Sequence, residues 1–272
     1  MGWTAVALIA LAALATLVVA TPVPAATAGE APVGETALEH LVTEIAARQD
    51  PRVADALARI DGTGHRLLAL RSYLRSGDRL AERWSWTQEQ IEAYEGSDEH
   101  LALQAEIERV RAAFSRENPG FELWVNPQVR SLDRQLESWN TNESVTEAAA
   151  HVFQAALALL DEPSFPADDP ARARAALESF LSSHRPSPVP TVAAPGLSPH
   201  GQMRAVDFQV HQEDRIIAGP RSATIAAEWD DAGWSARLDA AVRAASSRFV
   251  GPLASPREPW HYTYAPEAVA AQ

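Results

Sequence analysis

Toward the C-terminal end of the chain, Ser198-Pro199-His200 is followed closely by Ala205-Val206-Asp207-Phe208 and, much further on, by Glu258-Pro259-Trp260-His261-Tyr262. Two histidines and an aspartate are ligand types that zinc takes, and a glutamate three residues before the second histidine is placed to work as a base. A zinc hydrolase needs roughly three protein ligands of His, Asp or Glu type, with one position left open for a water whose pKa the metal lowers to about 7. His200, Asp207 and His261 leave that opening. The chain has no cysteine, which excludes a disulfide framework and a thiolate zinc site, so any metal must be held by imidazole and carboxylate.

The elements that must aim these groups can be read from hydrophobic alternation. In Ala205-Val206-Asp207-Phe208-Gln209-Val210, the apolar Val206, Phe208 and Val210 fall on one face of a strand and Asp207 on the other. Trp260-His261-Tyr262-Thr263-Tyr264 repeats the pattern, with the aromatics on one face and His261 on the opposite one. Two neighbouring strands would bring Asp207 and His261 into a common cleft. His200 would come from the loop entering the first strand, and Glu258 would sit just before the second, kept out of a helix by Pro259.

These residues resemble a known family, the zinc D-Ala-D-Ala metallopeptidases, which include D,D-carboxypeptidases and D,D-dipeptidases and share a core with the hedgehog signalling domain. The family pattern of Ser-x-His, four residues, Ala-x-Asp and a later Glu-x-Trp-His is met at each spacing. Its upstream Arg-Ser-x-x-x-Gln element has a counterpart in Arg130-Ser131-Leu132-Asp133-Arg134-Gln135, after the alternating Phe121-Glu122-Leu123-Trp124-Val125, which reads as a strand leading into a helix. Trp229 to Trp234 with Leu238, Ala241 and Val242 is similar to the family's helix before its last strands. The similarity spans residues 119 to 267. It implies that His200, Asp207 and His261 bind Zn2+, that Glu258 is the general base and that Arg130 stabilises the oxyanion. Gln135 would stand behind the ligands or on the substrate side, and Ser198 on the substrate side or as the cap of a turn. Met203 stands where the family usually has Gly, and Gly201 is expected to give the turn its backbone freedom. Asn126-Pro127-Gln128-Val129 replaces the usual Ser-Gly-aromatic lead to Arg130.

Plainer roles compete for some of these residues. Arg130 has the spacing to pair with Asp133 or Glu137 on a helix surface. Tyr262 and Tyr264 face the aromatic side and read as packing residues, and His211 has no ligand partner at a telling spacing.

Residues 1–28 read as a signal peptide or membrane anchor. No charged side chain occurs before Glu30, Ala5 to Ala20 form an apolar run interrupted only by Thr16, and Ala26-Thr27-Ala28 fits the small-residue cleavage rule. The segment 1–20 is also just long enough to span a bilayer, given the ~20 residues such a helix needs. Export to the periplasm or cell envelope follows from either outcome. A net charge of −13, spread along the chain, argues against nucleic-acid partners and against electrostatic docking on anionic lipid. It leaves cell-wall peptide open as the substrate.

Between the leader and the site lies a helical region, residues 36–117, preceding a zinc metallopeptidase domain at 118–270. Leu41, Ile45 and Ala46 begin one helical face, and Leu67, Leu68, Leu70 and Leu74 crowd another. Ile91, Leu101, Leu103, Ile107, Val110 and Phe114 are expected to be buried, with a break at Gly96-Ser97-Asp98. Helical packing on the catalytic core, or self-association, accounts for the region better than a wall-binding module, since no repeat or aromatic platform is evident. Trp84 and Trp86, at i and i+2, do not share a helix face. Residues 145–160 and 169–183 read as helices, and Pro186 to Pro195 as an extended approach to His200 that shapes the substrate entrance.

The expected fold is therefore α+β, a small antiparallel sheet with flanking helices carrying a zinc site and a helical N-terminal region before it. The expected activity is a zinc-dependent peptidase on peptidoglycan stem peptides, foremost a D-alanyl-D-alanine carboxypeptidase. A peptidoglycan endopeptidase and a non-catalytic binding protein on the same scaffold are the alternatives.

Overall fold

A computed structural model describes residues 33–126 and 128–266, so the proposed leader at 1–28 lies outside the described residues. Among the described residues no helix is long and apolar enough to cross a membrane. The fold is α+β, with ten α-helices and a small antiparallel sheet of five strands among the described residues.

The first core is helical. Helices α1 (Val33–Ala46), α2 (Pro51–Ala58) and α3 (Thr63–Ser76) pack with α7 (Leu132–Thr141), α8 (Glu143–Leu160) and α9 (Pro170–Ser183) around Leu38, Ile45, Leu67, Leu70, Val145, Val152 and Leu177. Several of their starts are marked by polar caps. Asp50 precedes Pro51 and Asp169 precedes Pro170, each accepting from backbone N–H groups of the first turn, and Asn142 does the same for α8. The second core lies under the sheet and takes in α5 (Gln88–Tyr94), α6 (Asp98–Glu117) and α10 (Trp234–Ala245), while the short α4 (Leu80–Arg83) adds Leu80 to the first. Neither core is one continuous stretch of sequence: α6 packs under the sheet, while α7 to α9 return to the N-terminal helices.

Strand β2 (Ala205–Gln212) organises the sheet. It pairs antiparallel with β5 (His261–Tyr264) along its first three residues and with β1 (Glu122–Val125) from Phe208 to His211. The short β3 (Arg215–Ala218) pairs with its end, and β4 (Phe249–Val250) pairs with β5. Val206, Phe208 and Val210 are buried against the second core together with Trp260, Tyr262 and Tyr264, as alternation requires.

One expected core residue is outside. Leu101 is 55% exposed. The buried stripe of α6 runs through Leu103, Ile107, Val110 and Phe114, with Glu106 and Ala113 beside it, a spacing of three and four residues. Leu101, two residues before Leu103, falls on the opposite face. The break between α5 and α6 lies at the expected Gly96-Ser97, where Ser97 caps α6 by accepting from the His100 N–H.

Candidate metal centre

Asp207 and His261 are direct cross-strand partners in the β2–β5 ladder. Opposed residues in such a ladder have Cβ atoms about 4.5–5.5 Å apart on one face, so the two side chains meet without further chain movement. His200 comes from a short 3₁₀ turn, Pro199–Gln202, immediately before β2. The three side chains converge. His261 Nδ1 lies 3.0 Å from Asp207 Oδ1, His200 Nε2 lies 3.4 Å from Asp207 Oδ2, and the two ring nitrogens are 3.2 Å apart.

These separations allow a test of fit. Ligands about 2.0–2.1 Å from a tetrahedral zinc are separated from one another by roughly 3.3–3.4 Å, against the 3.0, 3.2 and 3.4 Å found here. Two imidazole nitrogens and a carboxylate oxygen facing one another can share protons or, with those protons released, converge on a cation. Both histidines are buried. The group could hold a metal ion.

Electrostatics follow from this packing. Burial opposes ionisation of Asp207, but hydrogen bonds from His200 and His261 outweigh it and hold the carboxyl well below its usual range. Burial lowers the His200 pKa, against the pull of Asp207 in the other direction. A neutral imidazole beside an ionised carboxylate is the state that metal ligation needs.

Glu258 stands at the rim. Its Oε2 is 3.6 Å from His261 Nδ1, and its backbone is fixed by the Glu258 N–H donating to the Leu253 carbonyl (2.9 Å). Burial, reinforced by the Asp207 charge, raises its pKa against the opposing pull of His261 and Arg130. A carboxylate shifted upward in this way is better matched to accept and return a proton near neutral pH.

Arg130 reaches the same place from the segment before α7, where its Nη2 donates to Asp207 Oδ2 at 3.1 Å. The helix-surface pairings are absent: Asp133 pairs with Arg59, and Glu137 with Arg134. Arg130 is also pinned through its backbone, with its N–H donating to the His200 carbonyl at 3.1 Å.

Gln135 is turned inward, 4% exposed. Its Nε2 donates to the Arg130 carbonyl and to Ser85 Oγ, both at 2.7 Å, and its Oε1 accepts from the N–H groups of Gly196 (3.0 Å) and Ser198 (3.4 Å). All four amide valences are taken by protein groups, so Gln135 sits behind the metal turn rather than toward a substrate. Ser198 is buried in the same turn and makes no side-chain capping bond.

The backbone freedom of this turn is exercised at Met203, which takes the left-handed conformation (φ 49°, ψ 28°). Gly201 has an ordinary φ and is needed for its size. A non-glycine residue in that conformation costs about 1–3 kcal/mol. Burial of Met203 in the second core and the Arg204 N–H donating to the Pro199 carbonyl at 2.9 Å hold it there.

The approach to His200 is anchored rather than open. Ala194 and Leu197 are buried in the helical core, and Tyr73 Oη donates to the Pro195 carbonyl at 2.8 Å. Tyr262 and Tyr264 are packing residues, and His211 stacks on Trp124 away from the ligands. Ser85 joins the site from far upstream, with no sequence signal to mark it. Compared with protein-family models, curated proteins and solved structures, the chain matches none.

Proposed function

We propose that the protein is a zinc-dependent peptidase acting on peptidoglycan stem peptides, foremost as a D-alanyl-D-alanine carboxypeptidase, exported to the periplasm or cell envelope by the leader at residues 1–28. The observation that carries this reading is the triangle of His200, Asp207 and His261 with the Glu258 carboxylate 3.6 Å from His261 Nδ1. Zinc fits the donor set, two imidazoles and a carboxylate without sulfur, and when bound it supplies a Lewis acid that polarises a carbonyl and acidifies water.

The side chains divide the remaining work. Glu258 takes the proton of the attacking water and returns it to the leaving amine, which its raised pKa favours. Arg130 contributes positive charge beside Asp207, where the guanidinium can turn toward the developing oxyanion or a substrate carboxylate. Asp207 stays ionised throughout, held so by the histidines.

The test is mass spectrometry of muropeptides incubated with the zinc-loaded protein and, in parallel, with Glu258→Gln. Loss of a terminal alanine in the first sample alone supports the carboxypeptidase, whereas paired internal fragments would move the assignment to an endopeptidase. Intact muropeptides from a protein that holds zinc would overturn the peptidase reading in favour of a binding role.

A further inference from the structure

We propose that the segment Trp84-Ser85-Trp86 is a strap that sets the aim of His200, with Ser85 as its positioning residue. The N-terminal helical region is then a working part of the metal centre. The proposal rests on reading His200, Asp207 and His261 as metal ligands and is independent of which bond is cut.

The strap is held at both ends. Trp84 inserts into the helical core against Tyr73, with ring centroids 5.6 Å apart and the Arg52 guanidinium 5.4 Å from its ring centre. Trp86 packs on Tyr94 at the edge of the second core, at 4.7 Å. Between these anchors the backbone is extended and stitched to the metal turn on both sides of His200. The Ser85 N–H donates to the Gly196 carbonyl at 2.8 Å, and the Trp86 N–H to the Gly201 carbonyl at 3.0 Å. In return Gln202 Nε2 donates to the carbonyls of Glu82 and Trp84, both at 2.8 Å.

Ser85 itself is buried, and its hydroxyl closes a chain of contacts ending at the ligand. Its Oγ accepts from Gln135 Nε2, the same nitrogen donates to the Arg130 carbonyl, and the Arg130 N–H donates to the His200 carbonyl. The turn also rests directly on this side chain. A Cβ at Gly201 would fall 2.0 Å from Ser85 Oγ and 2.6 Å from Ser85 Cβ, and one at Gly196 would fall 2.8 Å from the Trp84 ring. Both glycines are where the turn lies flush against the strap.

The experiment is a zinc titration of the full chain by competition with a chromophoric chelator, joined to imidazole ¹⁵N spectra of the metal-free protein at fixed pH. Ser85→Ala is expected to raise the zinc Kd about tenfold, the scale seen when groups supporting a ligand are removed, and to move the His200 imidazole signals while leaving those of His261 in place. Gly201→Ala is expected to weaken binding about a hundredfold. Ser85→Gly added to Gly201→Ala removes the two nearest atoms that the new methyl meets, leaving Gln135 Nε2 at 2.8 Å, and should recover about tenfold of that loss. A merely structural role would cost stability without moving the His200 imidazole signals.

A Ser85→Ala protein within about twofold of wild type, or a double variant no better than Gly201→Ala, would overturn the strap. Should Gly201→Ala fail to fold, Ser85→Ala decides alone. Should the wild-type protein take up no zinc, the metal reading falls by itself. The strap is then judged by the His200 imidazole signals, which must move in Ser85→Ala for it to stand.

Discussion

Asp207 and His261 are held by the sheet, whereas His200 is held by a turn, and the two kinds of support have different origins. The two strand residues are fixed by a ladder in which they are direct partners, and by the apolar residues that alternate with them. The turn ligand depends on Gln135, on Met203 in a left-handed conformation, and on a strap more than a hundred residues upstream. A ligand on a strand inherits its aim from hydrogen bonds that the backbone must make in any case. A ligand on a turn must have its aim supplied by side chains from elsewhere.

The comparison is broken or sharpened by several measurements. The largest expected effect is on zinc affinity: His261→Ala should raise the Kd by roughly a thousandfold or more, since a three-ligand set loses one member, and His200→Ala should match it. Retention of stoichiometric zinc by either variant in inductively coupled plasma analysis would remove that residue from the ligand set. Next, Glu258→Gln should lower turnover about 10²–10⁴-fold while zinc content stays at wild type, because only the proton acceptor is removed. Parallel loss of metal would show that Glu258 is a ligand and not a base.

Stability separates the two supports further. Phe208→Ala, which empties a fully buried site under β2, should cost about 3–5 kcal/mol in chemical denaturation. Gln135→Ala should cost less, about 2–3 kcal/mol, through orphaned N–H groups of Gly196 and Ser198. In zinc affinity the order should reverse among the variants that still fold, with Gln135→Ala the weaker binder. A Phe208→Ala protein that folds but binds zinc more weakly than Gln135→Ala would sink the distinction between strand-held and turn-held ligands.

The smallest effect concerns acid. His65 in α3 and His184 at the end of α9 both have lowered pKa values, chiefly because burial disfavours the charged ring. Their folded values lie below the unfolded value of about 6.5, so the unfolded chain binds more protons. Stability is therefore complete above that pH and declines as the pH falls through it. The thermal midpoint of the metal-free protein should drop between about pH 7 and pH 5, and His65→Gln with His184→Gln should flatten that slope in part, the lowered His200 supplying the remainder. An unchanged slope in the double variant would place the acid sensitivity elsewhere.

Legibility follows the same division. The helices at 145–160 and 169–183, the strand at 121–125 and the faces of β2 and β5 were readable because each depends on a local period. Leu101 was not, because a leucine marks burial only when the phase of its helix is known, and that phase is set by neighbours three and four residues on. Trp84 and Trp86 read as a pair that shares no helix face. They are the two ends of one extended strap, each in a different core, and no local pattern encodes which core a side chain will enter.

The sequence alone determined the donor chemistry. With no cysteine, two histidines and an aspartate at those spacings, and alternation that turns Asp207 and His261 away from the apolar face, the residues and their faces follow from composition and strand period. Tertiary structure decided the aim of His200, the inward turn of Gln135 and the place of Ser85. Those depend on hydrogen bonds and close contacts between segments distant in the chain, and such contacts leave no period in the sequence because each joins residues whose separation along the chain is not a repeat of helix or strand.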